Sequence, residues 1–126
     1  MSQLNVNAIN SADGTDDTLV INAQNTAKVI WHYDQTTPAL RSSFNVDSIS
    51  DDALGIYTVT FTTNMADTLY AGIVSPPCDI SVIYSNTVGL RQSGKAVGAC
   101  AVETTNAAGT AGFDLNATSG LIFGDQ

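Results

Sequence analysis

Residues 44–70 read FNVDSISDDALGIYTVTFTTNMADTLY and contain the strongest secondary-structure signal in the chain. In its centre Tyr57, Val59 and Phe61 alternate with threonines. Aromatic and β-branched residues that repeat with a period of two are typical of a strand with one buried face. The stretch therefore predicts a strand whose apolar side faces a core and whose threonine side faces outward.

The residues on either side of this strand predict two more. Phe44 and Val46 alternate with polar residues, which indicates a strand before it. Residues 51–55, Asp-Asp-Ala-Leu-Gly, combine acceptor carboxylates with a glycine that can adopt a positive φ, which predicts a turn. Residues 64–67 predict a second break, and residues 68–74 predict the next strand.

The rest of the chain shows the same organisation. In residues 27–33, Val29, Trp31 and Tyr33 share one face, while Lys28, Ile30 and His32 share the other. Further strands are predicted at 4–9, 18–21, 79–85, 96–103, 112–115 and 120–123, with loops at 34–40, 75–78, 86–95 and 104–110. About nine short strands and almost no helix predict an all-β, antiparallel β-sandwich or jelly-roll-like module. We expect one domain over residues 1–126, made of an N-terminal hairpin or arm (1–26), a central meander (27–74), and variable loops with closing strands (75–126).

Composition narrows the possible functions. The chain has a net charge of −8 and only four cationic residues, Lys28, Arg41, Arg91 and Lys95. Nucleic-acid binding needs a basic patch that displaces counterions, so we predict no nucleic-acid partner. No apolar run approaches the length of a membrane span, and Met1 to Asn5 lacks the features of a secretion signal. We therefore expect no membrane insertion and synthesis in a cytoplasm.

Few residues offer chemistry. His32 is the single histidine, so a two-histidine metal site is impossible within one chain. A Ser-His-Asp site is not supported by any nucleophile-elbow motif. Cys78 and Cys100 are expected as free thiols, with a disulfide as the alternative if strands bring them together.

Two surface features have both a functional and a structural interpretation. Asp13, Asp16 and Asp17 could bind a hard cation such as Ca²⁺, but they do not match the EF-hand spacing and also suit an ordinary turn. The acidic pair at 51–52 is a weaker candidate of the same kind. Trp31, Tyr33 and Tyr84 could stack on sugars, but the alternation around Trp31 favours burial in a core or an interface. No cofactor is predicted.

Several segments together resemble a family of virion proteins. These are VIWHY (29–33), ALRSSFNVDSI (39–49), GIYTVTFTTNM (55–65) and DTLY (67–70), with partial similarity in LNVNAI (4–9) and LIFGD (121–125). The combination is similar to proteins of tailed bacteriophages, cyanophages included, that occur as tail fibres, knobs and capsid decoration proteins. The similarity covers residues 27–74 well and is absent from 75–110.

The resemblance implies a structural protein on the surface of the virion, with no catalytic residue. It implies a homo-oligomer, expected to be a trimer, that contacts other virion proteins of the capsid or tail. We interpret Arg41 as an ion-pair partner of Asp47, Asp51 or Asp52. The residues expected in the core or in a subunit interface are Trp31, Tyr33, Phe44, Val46, Tyr57, Val59, Phe61 and Tyr70.

Three functions remain open at this point. The first is a non-enzymatic virion protein that acts as a capsid decoration or cement protein or as a small knob. Its alternative within the virion is a tail-fibre module that attaches to the host by binding a surface glycan. The second is a free carbohydrate-binding module or hydrolase accessory domain. The third is an enzyme, for which the sequence offers no motif.

Overall fold

The computed structural model describes residues 26–76, 87–106 and 108–126. The hairpin predicted at 4–21, the strand predicted at 79–85, Cys78 and Tyr84 lie outside these residues. The described part contains eight strands and a three-residue 3-10 helix at Gln92–Gly94. The strands are β1 Val29–Asp34, β2 Ala39–Phe44, β3 Val46–Ala53, β4 Ile56–Phe61, β5 Ala71–Ser75, β6 Thr87–Leu90, β7 Ala99–Thr105 and β8 Thr118–Phe123.

The eight strands form two antiparallel sheets of four. The first sheet has the order β2-β1-β8-β5 and the second has the order β3-β4-β7-β6. The two sheets face each other, since Tyr33 of β1 packs on Tyr57 of β4 with ring centroids 4.9 Å apart. The predicted all-β sandwich is thus confirmed. The β4–β7 pair of the second sheet lies, in chain order, between the two strands of the β1–β8 pair of the first sheet.

The core lies between the sheets and contains a buried chain of hydrogen bonds. The indole Nε1 of Trp31 donates to the hydroxyl of Tyr57 at 3.0 Å, and that hydroxyl lies 2.8 Å from the hydroxyl of Thr118. Thr118 in turn donates to the carbonyl of Tyr33 at 3.3 Å. Burial raises the pKa of Tyr57 to about 12. The buried apolar cluster contains Val29, Trp31, Tyr33, Tyr57, Val59, Phe61, Met65, Tyr70, Cys100, Val102 and Ile122.

The chain changes sheets at Asn45, where the sequence pattern predicts a continuous strand. Asn45 has φ 57°, in the left-handed region that asparagine tolerates better than most residues. Its side-chain amide donates to the carbonyls of Lys28 and Thr63, and its side-chain oxygen accepts from the amide of Thr63. These bonds hold β2 in the first sheet and β3 in the second, so the continuous strand was wrong.

The turn predicted over residues 51–55 is shorter in the structure. Strand β3 continues to Ala53, so Asp51 and Asp52 lie in the strand and only Leu54 and Gly55 form the turn. Gly55 has φ 73°, and a Cβ there would lie 2.4 Å from the carbonyl oxygen of Thr104. Glycine is therefore required at this position by conformation and by space.

Other boundaries also differ. The loop predicted at 34–40 is a turn over 35–38, because Asp34 ends β1 and Ala39 begins β2. The region predicted as a loop from residue 86 contains β6 and the 3-10 helix. Strand β5 starts at Ala71, where a start at residue 68 was predicted. The strand predicted at 112–115 is a single bridge between Gly112 and Thr105.

Arg41 pairs with Asp34, and not with the three aspartates predicted from the sequence. Asp34 also accepts from the Thr36 hydroxyl at 2.8 Å and from the Thr37 amide at 3.0 Å. The hydrogen bond from the Arg41 guanidinium, followed by those from Thr36 and Thr37, lowers the pKa of Asp34 to about 2. The ion pair fastens the start of β2 to the end of β1.

Candidate functional site

The outer face of the first sheet contains two rows of side chains that cross all four strands. Residues paired across neighbouring strands point to the same face of a sheet. The first row is apolar and consists of Phe44 on β2, Ile30 on β1, Leu121 on β8 and Ile73 on β5. The next row is polar and runs parallel to it through Ser42, His32, Ser119 and Ser75. We call these eight residues the two-row face.

The apolar row is unusually open to solvent for such large side chains. Ile73 is 63% exposed, Phe44 is 59% exposed and Ile30 is 40% exposed. They lie on adjacent or nearby strands, so they form one continuous strip and are not scattered single residues. A contiguous apolar patch of this kind makes the face a candidate interaction site.

The two-row face also lacks fixed charge. Its eight residues include no carboxylate, lysine or arginine, although the chain carries twelve acidic residues. At one end, Lys28 directly precedes β1, and its ammonium donates to Thr26 at 3.3 Å. At the other end the Asp34–Arg41 pair carries no net charge. Two copies of this acidic chain could approach through this face without bringing carboxylates together.

The face is concave at its centre. A groove of about 340 Å³ is lined by Ile30, Ile73, Leu121 and the polar row. Trp31 lies directly beneath it, and its ring packs over Gly120 of β8, where a Cβ would come within 1.9 Å of the indole. The glycine therefore lets the strand lie flat against the core, which shapes the floor of the groove.

The outer face of the second sheet is different in kind. It carries Ser48, Ser50, Thr58 and Thr60, paired across β3 and β4. Asp52 accepts hydrogen bonds from Ser50 at 2.8 Å and from Thr58 at 2.6 Å. On β7, Glu103 lies 3.3 Å from Arg91, and the 3-10 helix packs close to Ala101. This side is polar, charged and partly covered by the chain itself, so the two faces of the sandwich are chemically unequal.

His32 lies in the polar row, and its Nδ1 is 2.8 Å from the hydroxyl of Ser119. A serine–histidine contact is one part of a nucleophilic site, but such a site also needs a group that orients the imidazole. Within the described residues no carboxylate hydrogen bonds to His32. The contact joins directly paired residues of β1 and β8, which explains it as a bond across the sheet.

Two of the three aromatic residues considered for sugar binding are not on the surface, and the third, Tyr84, lies outside the described residues. Trp31 is 1% exposed and Tyr33 is 2% exposed, so neither can stack on a ligand from solvent. Of the residues expected in a core or interface, Tyr57, Val59, Phe61 and Tyr70 are also buried, and Val46 is half-buried. Phe44 is not in the core, because β2 turns it to the outer side; its place in an interface stays a prediction.

Of the metal and thiol candidates, some lie outside the described residues. Asp13, Asp16 and Asp17 lie outside the described residues. Over 26–76, 87–106 and 108–126, no group of three or more His, Cys, Asp or Glu side chains is arranged to hold a metal ion. Cys100 is a buried free thiol, and burial raises its pKa to about 12. A thiol with so high a pKa is protonated at neutral pH and therefore unreactive.

Sequence reasoning missed three members of the apolar row. Ile30, Leu121 and Ile73 were recognised as strand residues, but nothing in their local pattern distinguishes an exposed isoleucine from a buried one. The available signal was that Ile30 lies on the face opposite Trp31. This position indicates an exposed apolar row only once β8 is known to pair with β1, and β5 with β8.

Comparison with protein-family models, curated proteins and solved structures found no match to this chain. In the part of the chain that the structure describes, no helix is long and apolar enough to cross a membrane. The geometry of the two-row face is therefore the main guide to function.

Proposed function

We propose that the protein is a non-enzymatic structural subunit of a bacteriophage virion that assembles into a homotrimer through the two-row face. Its place is on the particle surface, as a capsid decoration or cement protein or as a small knob. The main evidence for this assembly is the contrast between the two outer faces of the sandwich, of which one is apolar and uncharged and the other is polar and charged. The placement on a phage particle is supported by the resemblance over residues 27–74 and by the scaffold character of that segment.

The occupant that suits the two-row face is a second copy of the chain. Any partner must cover apolar side chains without supplying charges that would stay unpaired, and the face itself meets both conditions. In a trimer the contact is head-to-tail, so the two-row faces meet around the threefold axis, where the apolar row of each copy contacts those of its two neighbours. Elsewhere the acidic surface of one copy repels that of the next.

The apolar row supplies enough free energy to matter. Burying a fully exposed isoleucine or phenylalanine side chain stabilises by about 1.5–3 kcal/mol, so a half-exposed one contributes on the order of 1 kcal/mol. Removal of Phe44 and Ile73 in all three subunits then removes about six such contributions. Since 1.4 kcal/mol corresponds to a factor of ten, the association constant should fall by about four orders of magnitude.

The first experiment measures the mass of the chain by light scattering at micromolar concentration. We expect a mass of three times the 13.1 kDa chain for the natural protein, and the chain mass for the double variant Phe44→Ser, Ile73→Ser. Leu54→Ser is the matched control, because Leu54 is 65% exposed and lies in the β3–β4 turn, away from the face. Thermal unfolding of each variant checks that the fold is intact.

The outcome separates the alternatives. A monomeric natural protein contradicts assembly, and so does a double variant that keeps the trimer mass. Equal weakening by Leu54→Ser would show that general apolar exposure, and not this face, controls association.

The second experiment locates the chain on the particle by gold-labelled antibody on purified virions. Label over the head supports decoration, and label on the tail supports the tail-fibre alternative with host attachment. No label on any particle rejects the virion assignment. The glycan-binding alternative has lost Trp31 and Tyr33 as a sugar platform, since both are buried.

A further inference from the structure

We infer that assembly through the two-row face is controlled by pH, and that His32 is the residue that senses it. This inference rests on the proposed self-association and adds its regulation. Histidine is the side chain whose charge ordinarily changes between about pH 5 and pH 8. His32 is the one histidine in the chain and lies within the proposed contact surface.

Among residues 26–76, 87–106 and 108–126, the neighbours of His32 offer no group that would neutralise an imidazolium. On β2 it is paired with Ser42, and on β8 it is paired with Ser119, whose hydroxyl hydrogen bonds to its imidazole. Farther along the row, β5 contributes Ser75. Along β1 the flanking residues on the same side are Ile30 and Asp34, and Asp34 is already bonded to Arg41.

The two-row face of a second copy brings the same eight residues, so that face supplies no carboxylate either. While the face is open, water has access to His32 and can solvate a charge there. Once the face is covered, the charge loses that water and gains no counterion, which is strongly unfavourable for a buried ion. Each subunit of the assembly adds one such charge near the others. Protonation therefore favours the separated subunits, and deprotonation favours the assembly.

The test compares assembly at pH 8 and at roughly pH 5.5, a range in which ordinary carboxylates stay ionised. Sedimentation equilibrium on the natural protein should show association weakened at least about tenfold at the lower pH. His32→Gln keeps a hydrogen-bonding side chain but cannot take up a proton, so its association should not change over this range. Both proteins are first checked for an unchanged fold by tryptophan fluorescence.

A second measurement needs no change at His32. The single imidazole gives one set of proton resonances, and their pH titration can be followed in the assembled natural protein and in the Phe44→Ser, Ile73→Ser variant. Proton uptake should require a lower pH in the assembled protein than in the separated variant. Identical titration curves in the two proteins overturn the inference.

The failures can be told apart. If the natural protein assembles at pH 8 but responds to pH no differently from His32→Gln, the role of His32 is rejected and the proposed assembly stands. If the natural protein is monomeric at pH 8, the proposed assembly fails and the pH control fails with it.

Discussion

Removal of one hydroxyl group, by Tyr57→Phe, tests the buried hydrogen-bond chain between the sheets. The indole of Trp31 donates to Tyr57, Tyr57 donates to Thr118, and Thr118 donates to the carbonyl of Tyr33. This direction follows because the carbonyl at the end can only accept. Without the hydroxyl, Thr118 keeps its acceptor, but the buried indole N–H of Trp31 has none.

The expected loss follows from that single unsatisfied donor. A buried donor left without a partner destabilises the fold by about 1–3 kcal/mol. For a chain of this length the midpoint of thermal unfolding should fall by about 3–5 °C for each kcal/mol. Tyr33→Phe is the matched control, because the Tyr33 hydroxyl has no hydrogen bond to a described residue and both rings keep their mutual contact. We expect it to change the free energy of unfolding by less than about 0.5 kcal/mol.

Urea unfolding of both variants, followed by circular dichroism and by the fluorescence of the single tryptophan, measures the difference. All samples must have the same protein concentration, because assembly adds to the apparent stability. The slope of free energy against urea should stay unchanged, since the variants expose the same surface on unfolding. Equal losses from the two substitutions would refute the hydrogen-bond chain as a source of stability.

Three further changes probe backbone and charge. Gly120→Ala should lower the free energy of unfolding by about 3 kcal/mol or more, because its Cβ would lie 1.9 Å from the ring of Trp31. Gly89→Ala is the control: its Cβ meets nothing within 4 Å, so the melting temperature should stay almost unchanged. Asn45→Ala should lower the free energy of unfolding by about 1–3 kcal/mol. Asn45→Gly should lower it by less, because glycine adopts the φ of 57° without strain. Equal losses of stability would assign the whole effect to the side-chain hydrogen bonds of Asn45. Asp34→Asn should destabilise at pH 7 by about 1–3 kcal/mol. The pKa of Asp34 is lowered from 3.8 to about 2, so the stability that its charge supplies is complete above pH 4 and is lost as the pH falls through 2. The free energies of unfolding of the natural protein and of Asp34→Asn should therefore converge at that pH. A difference between them that persists there would contradict the role of the charge.

Local pattern was sufficient for strands β1 and β4 and for much of the core. The alternation of Tyr57, Val59 and Phe61 predicted β4, and the alternation of Val29, Trp31 and Tyr33 predicted the buried side of β1. These predictions hold because a strand places successive side chains on opposite sides, so that a period of two directly records which side is buried.

Sequence alone could not say which sheet a strand joins. Phe44 and Val46 look alike in the pattern, yet Phe44 is exposed on the first sheet and Val46 packs against the core from the second. The difference depends on the left-handed conformation of Asn45 between them, which is held by bonds to residues 17 and 18 positions away. Long-range contacts of this kind leave no local periodic signal.

The candidate site shows the same division. The amino-acid pattern predicted an acidic β-rich chain with one histidine, few cations and strands that each have an apolar side. The pairing of the strands, seen only in the folded chain, brings residues from four separate strands into one row beside His32: Phe44, Ile30, Leu121 and Ile73. Within a strand, the period of two fixes which residues share a side. The order and register of strands, set by packing of the whole core, fix which residues meet across the sheet.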